Sequence, residues 1–419
     1  MRVIPVCKAR FLAVKILCVL GEHNYGDPAR GKSYEYVNFL PALRNLGHEV
    51  IFFESFNRDS YDDFADLNRM LLEKVQAEKP DVILCVLLGY EIWLETFELL
   101  RKGCNAVVIN WSTDDSWKYE QFSRLVAPAF DLYATTCPEA IAKSERDGLS
   151  NFVLTQWAAN SANLAQPLHS RECRYPVSFV GSCYGNRKKW ISALTQQGVN
   201  VACFGHGWMN GPVPSEEIPR IMRESVISLN FGDSGILMRG LVPMRSRQIK
   251  ARTFEVPGAG GFLLTENAQN LERFYRVGEE IIVYDGASDL ARKIAHFLGH
   301  PEERDSIAVA GHLRTRQEHT YDLRFRHLLE VAASIKSTRF AGQCSIDFGR
   351  FDAIRSRHET GFFLKLVKVA LLAPCMALWG RKKGPRAARR LMFEISWRVL
   401  GRKTYSVSGW PGRLFYRES

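Results

Sequence analysis

A glutamate stands beside a cluster of glycines in QIKARTFEVPGAGGFLLTE, residues 248–266. A carboxylate can accept hydrogen bonds from both hydroxyls of a ribose, and glycines let a nucleotide approach the backbone. Glu255 is therefore a candidate ribose-binding acid, with Gly258, Gly260 and Gly261 making the space. It falls in the last turn of a helix expected over 245–256 and stopped by Pro257-Gly258, where the helix dipole prefers a cation. A rule broken locally points to function. The alternative is a surface glutamate paired with Arg252, three residues away.

A second stretch, FVGSCYGNRKKW at 179–190, reads as a strand ending at Gly181, a turn of small residues, and a helix bearing Arg187 and Lys188. Free N–H groups at a helix start, a positive dipole end and nearby cations suit a diphosphate; the alternative is a plain turn with solvated cations. In ACFGHGWMNG (202–211), Gly205, Gly207 and Gly211 nearly spell a dinucleotide fingerprint. The last spacing is one residue too long and a loop follows, so the oxidoreductase reading fails its structural check. Gly205 stays a candidate on the nucleotide side, and Trp208 is either packing or a base platform.

The first half of the chain has candidates of its own. GEHNYGDPARGKSYEY (21–36) is a long loop after the first strand, in which His23, Lys32 and Glu35 could meet a second substrate. INWSTDDSW (109–117) places Asp114 and Asp115 at the end of a strand, where either could orient or deprotonate a hydroxyl. The pair could instead cap the following helix. No third ligand accompanies them, so neither a metal nor a cofactor is expected.

These residues need elements to hold them. Strand-like and helix-like segments alternate along the chain, the pattern of parallel strands joined by crossover helices. The first series has strands near 15–21, 49–54, 81–88, 106–111, 131–136 and 152–157; the pattern lapses at 160–173. A second series has strands near 177–181, 199–205, 225–230, 261–265 and 280–284. The expected fold is α/β, with two doubly wound, Rossmann-like parallel-sheet domains (13–165 and 174–335) facing a cleft.

The chain has 419 residues, 46% hydrophobic and 24% charged, which is ordinary for a globular protein. Its ten cysteines form no C-x-x-C pair; Cys7, Cys18, Cys85 and Cys203 read as buried thiols in a reducing, intracellular compartment. The net charge of +11 is confined to one region. Residues 351–419 hold 15 Lys and Arg against 4 Asp and Glu, and the rest holds 41 of each. A neutral body argues against nucleic acid as a partner and for a basic tail with an anionic partner of its own. No run of 18 uninterrupted apolar residues is present, so no spanning helix is expected. Instead GFFLKLVKVALLAPCMALWG (361–380), the basic run after it and LMFEISWRVLG (391–401) fit helices lying in an anionic membrane surface, or a C-terminal helix packed back on the body.

From about 176 to 325 the chain resembles GT-B glycosyltransferases of the group related to the spore maturation protein CgeB. The resemblance is carried in order by VSFVGSCYGNR, SVISLNF, QIKARTFEVPGAGGFLLTE, NLERFYRVGEEIIVYD, DLARKIAHFLGHPEER and RTRQEHTYDLRF. It implies a nucleotide-diphosphate sugar donor in the second domain, no obligatory metal, Glu255 on the ribose, and Gly181 and Arg187 in the phosphate loop. Many retaining members carry another glutamate eight residues before the ribose-binding one. Here that position is Arg247, and Arg247 or Lys250 is expected to face the diphosphate. The expected function is sugar transfer to a glycan, lipid-linked or other hydroxyl acceptor at the inner face of the cell membrane. The competing readings are a sugar-nucleotide epimerase or hydrolase, and a non-catalytic sugar-nucleotide-binding scaffold.

Overall fold

KILCVL, the apolar run at 15–20, folds as a strand with every residue from Ile16 to Leu20 fully buried. Such burial requires cover on both faces, which parallel sheets obtain from their crossover helices. The computed structural model describes residues 13–239, 242–336 and 345–419; Cys7 lies outside them. Cys18, Cys85 and Cys203 are free and buried.

The first sheet contains β1 (Lys15–Leu20), β2 (Glu49–Glu54), β3 (Val82–Cys85), β4 (Val107–Ser112), β5 (Leu132–Thr135) and β6 (Phe152–Leu154). The strands are all parallel, in the order β2-β1-β3-β4-β5-β6. The second sheet uses β7 (Tyr175–Val180), β8 (Ala202–Phe204) and β9 (Ser225–Asn230). A separate antiparallel pair follows, β10 (Asp233–Arg239) with β11 (Val242–Arg247). Then β12 (Leu263–Glu266) and β13 (Ile282–Tyr284) complete a five-stranded order, β13-β12-β9-β7-β8. In each sheet the chain starts centrally and reverses direction, between β1 and β3 and between β7 and β9. Ligands bind at such switch points, beyond the carboxyl ends of the strands.

Three expectations change. The helix expected over 245–256 is replaced at its start by β11 and runs only from Arg252 to Gly258. Pro257 does not stop it; a proline in the last turn forfeits only one backbone bond. The end is made by Gly260 at φ +83°, with the Gly261 N–H donating to the Val256 carbonyl at 2.8 Å. This is a left-handed helix cap, and His312 Nδ1, 3.2 Å from the carbonyls of Pro257 and Gly258, seals it further.

Second, the span expected for the second domain, 174–335, takes in a helix that packs on the first sheet. The helix Tyr321–Lys336 returns to the first sheet, where Phe325 meets Phe39 and Trp111 at ring distances of 5.1 and 5.4 Å. The chain thus crosses between domains twice, once near 160–173 and once at Thr320.

Third, the tail is neither wholly free nor wholly packed. Phe351, Ile354, Tyr405 and Val407 are buried in the core of the first domain. The helix Phe362–Leu400 breaks at Gly380 (φ 73°, ψ 173°) into two arms, 362–379 and 381–400. The arms fold together around Cys375, Ala388 and Met392, closed by Leu414 and Phe415. The segment also contains an 18-residue window of mean hydropathy 1.8, apolar enough by length and composition to cross a membrane.

Candidate functional site

The two switch points face each other across adjoining cavities of 640 and 470 Å³. The turn after β7 and the helix Arg252–Gly258 wall them on one side. The loop after β1, the start of the helix Tyr34–Asn45 and the turn after β4 wall them on the other.

Arg187 follows the Gly181–Gly185 turn and is 7% exposed. Its Nη1 donates to the Ser182 carbonyl and its Nη2 to the Tyr184 hydroxyl, each at 2.9 Å. The guanidinium lies 3.9 Å from the Tyr184 ring centroid, and burial draws its pKa below the ordinary arginine value. Gly181 makes room for it, since a Cβ there would lie 3.2 Å from Arg187 Nη1 and 2.9 Å from Phe179. Lys250 lines the same cavity, and burial pushes its ammonium down to about 8. Among the described residues, neither Arg187 nor Lys250 forms an ion pair. Two poorly hydrated cations converging on one cavity form a receptor for a compact polyanion.

Glu255 lines the larger cavity with its side chain 17% exposed. It does not face bulk solvent. It pairs with Arg252, whose Nε also donates to the Val180 carbonyl at 3.1 Å. Glu255 thus lines the cleft and pairs with Arg252 at once, and the pair is not a surface one. Arg252 braces the carboxylate against the end of β7 and leaves acceptor capacity toward the cavity.

The neighbouring glycines face protein. A Cβ at Gly258 would lie 2.5 Å from Ala159, one at Gly260 2.5 Å from the Ala165 carbonyl, and one at Gly261 2.6 Å from the Met222 carbonyl. Their room goes to the crossing chain and to the helix Glu217–Arg223, which corrects the expectation that they clear space for a nucleotide. Gly205 does line the larger cavity, but a Cβ there would meet the Gly181 carbonyl at 2.4 Å, so it also serves loop-on-loop packing. Trp208 donates to that carbonyl at 2.7 Å and meets Phe179 edge to face, which makes it a packing residue.

Across the cleft the acid pair divides. Asp115 is 1% exposed and accepts hydrogen bonds from Ser112 and Ser123 beneath the sheet end, where burial raises its carboxyl above the ordinary range. It does not line the cleft. Asp114 does, with no side-chain capping bond and with Lys118 Nζ 3.8 Å away. Asp114 precedes the helix and Asp115 opens it, and the two side chains diverge, one to the cavity and one to the core. Glu35, in the first turn of the helix Tyr34–Asn45, lines the cavity beside Asp114; burial, helped by the Asp114 charge, pushes it up to about 7. Lys32 lines the larger cavity in an ion pair with Glu22. His23 pairs backbone with Lys32 at the base of this loop, and it is the adjacent Asn24 and Tyr25 that reach the cavities.

Two candidates stand apart. Lys188 is exposed and lines neither cavity. Arg247 bridges Glu266 at 3.4 Å and Asp285 at 3.2 Å, beyond the cavities, which corrects the expectation that it faces the diphosphate. Sequence reasoning missed Ser182, Tyr184 and Tyr34 as cavity walls. The Tyr184–Arg187 spacing of three, at a helix start, was the available signal.

Residues 187–330 match a family model described as glycosyl transferase-like. The spore protein CgeB of Bacillus subtilis (strain 168) is 23% identical over 295 residues, 64% of this chain and 86% of that protein. Among solved structures, sucrose-phosphate synthase of Thermosynechococcus elongatus superposes with a TM-score of 0.57 at 12% identity, covering 78% of this chain and 100% of that one. Anabaena HepE in complex with UDP-glucose superposes with a TM-score of 0.52 at 12% identity, covering 77% and 100%. The chain has the GT-B fold, and the resemblance to the CgeB-related group is borne out.

Proposed function

We propose that this GT-B-fold chain, with its glycosyl transferase-like second domain, transfers a sugar from a nucleoside diphosphate to a hydroxyl acceptor. The observation that carries the reading is the convergence of Arg187 and Lys250 on one cavity, with Glu255 on the same wall and Asp114 and Glu35 opposite. Glu255 accepts from the ribose hydroxyls. Arg187 and Lys250 bind the diphosphate and stabilise the charge it gains as it leaves. That a structural neighbour was solved with UDP-glucose supports a donor of this class.

The reaction breaks the bond between the anomeric carbon and the β-phosphate oxygen, whose electron pair stays with the nucleotide. The acceptor oxygen forms the new bond, and its proton passes to a carboxylate on the first domain. Asp114 is the base for this step. Glu35, whose proton leaves near pH 7, is the second carboxylate on this wall suited to the role, since a base titrating near the working pH is well matched to it. Closure of the two domains excludes water and aligns the attacking oxygen. The acceptor is a glycan or lipid-linked hydroxyl, in surface polysaccharide assembly at the cytoplasmic face of a membrane, and no metal is required.

A thermal-shift panel of UDP, GDP and dTDP on wild type and Glu255→Ala tests this. One ribonucleotide should raise the melting temperature of wild type, and its 2′-deoxy form should bind about tenfold more weakly, the worth of one or two lost hydrogen bonds. Glu255→Ala should erase that difference. If no nucleotide stabilises wild type, or the variant keeps the discrimination, the donor-site reading is wrong.

A further inference from the structure

Between Glu359 and Glu394 the chain carries eight Lys and Arg and no Asp or Glu. This is the stretch that folds into the two-armed hairpin. The first arm is apolar on two sides. Leu364, Val367, Leu371 and Leu372 pack toward the hairpin interior, while Phe362, Phe363, Leu366 and Val369 remain 51–78% exposed. On the second arm Leu391, Ile395 and Val399, spaced four apart, form an open row, with Val399 67% exposed. The exposed Arg381, Lys382, Lys383 and Arg386 cluster at the turn.

We propose that this hairpin lies in the interface of an anionic lipid bilayer, with its open apolar rows in the acyl boundary and its cations on the headgroups. Charge complementarity selects this occupant. A two-fold contact between copies of the chain would set eight unbalanced cations against eight more. A spanning arrangement also fails. The first arm has about the length to cross, roughly 27 Å at 1.5 Å per residue, but its packed partner would carry Arg386, Arg389 and Arg390 into hydrocarbon. Lying flat satisfies both the apolar rows and the cations.

The attachment fixes which side of the protein meets the lipid. Arg389 Nη1 donates to the Tyr90 hydroxyl at 3.4 Å, Ser419 lies 2.9 Å from the same hydroxyl, and Tyr405 donates to the Gln121 carbonyl. These anchor points follow β3 and β4, whose carboxyl ends also lead to Leu88 and Asp114 in the cleft. Where the transferase reading holds, the acceptor mouth therefore sits on the membrane side, as a lipid-linked acceptor requires; bilayer binding itself does not depend on that reading.

The test is co-sedimentation of the full chain with phosphatidylglycerol–phosphatidylcholine vesicles and with phosphatidylcholine alone. Binding should favour the anionic vesicles about tenfold and weaken at high salt. Leu366→Glu with Val399→Glu should reduce it at least tenfold and leave the nucleotide-induced thermal shift unchanged. Should that pair unfold the hairpin, Lys382→Glu with Lys383→Glu and Arg386→Glu, all on exposed positions, should reduce anionic binding by a similar factor. Wild type failing to sediment with anionic vesicles overturns the proposal. So do variants that bind like wild type, or light scattering that shows a dimer abolished by the same substitutions. Loss of nucleotide response with vesicle binding intact would count against the donor site alone.

Discussion

Lys250 shows how one buried charge sets a pH dependence for the whole site. Burial pushes its ammonium down to about 8, and Arg187 opposes it further while Asp114 and Asp233 restore part of the shift. Above that pH the free site has lost a cation, and a bound diphosphate must draw a proton in. Nucleotide affinity should therefore fall as pH rises from 7 to 9, approaching tenfold per unit at the upper end. Lys250→Arg should flatten this part of the profile in a titration calorimetry series. Glu35 gains its charge near pH 7 on the opposite wall and adds a smaller decline in the same direction, which Glu35→Gln should remove. At this scale the sequence picked out Glu255 for a reason the structure removes: the helix begins only at Arg252, so the acid stands in its first turn, where the dipole favours it. The sequence was also misleading where two like residues stood together: Asp114 and Asp115 are indistinguishable as letters, and only the helix start separates them into a cleft acid and a core acid.

At the scale of elements, the glycines after Pro257 gave the strongest sequence signal and the least accurate role. Gly260 terminates a helix at φ +83°, and its missing Cβ admits the Ala165 carbonyl. Gly260→Ala should cost about 1–3 kcal/mol of stability through backbone strain and steric conflict. It should lower the melting temperature while leaving the nucleotide-induced increment intact. A ligand-clearing role would instead reduce that increment. The strand β11 was hidden for a related reason. Its sequence VPMRSR has neither an apolar run nor a glycine at its end, so pattern alone extended the following helix backward to 245.

The whole molecule is held together by segments that leave one domain and finish on the other. Tyr321 donates to the Tyr34 hydroxyl at 3.0 Å, and Phe325 sits against Phe39 and Trp111. The returning helix thus ties its position to the helix that bears Glu35. The tail is equally part of the body: Phe351 stacks on Trp93 at 6.1 Å, and Tyr405 meets Phe122 edge to face at 5.3 Å. A chain ending at residue 350 should lose several kcal/mol, since each buried aromatic removed costs about 3–5 kcal/mol. Differential scanning calorimetry should show this as a large fall in melting temperature. Truncation therefore confounds folding with membrane binding, and point substitutions on the open rows separate them.

What the sequence determined by itself was the alternation of two sets of parallel strands, the family resemblance they carry, and the segregation of all excess charge into the last 69 residues. These are properties of periodicity and composition, which local chemistry writes directly into the chain. What only the tertiary structure decided was which of several equivalent charges share a cavity. Arg187 and Lys250 meet there, while Lys188 and Arg247 do not. That selection depends on side-chain direction and on contacts between residues more than fifty positions apart, and neither is encoded in any one stretch.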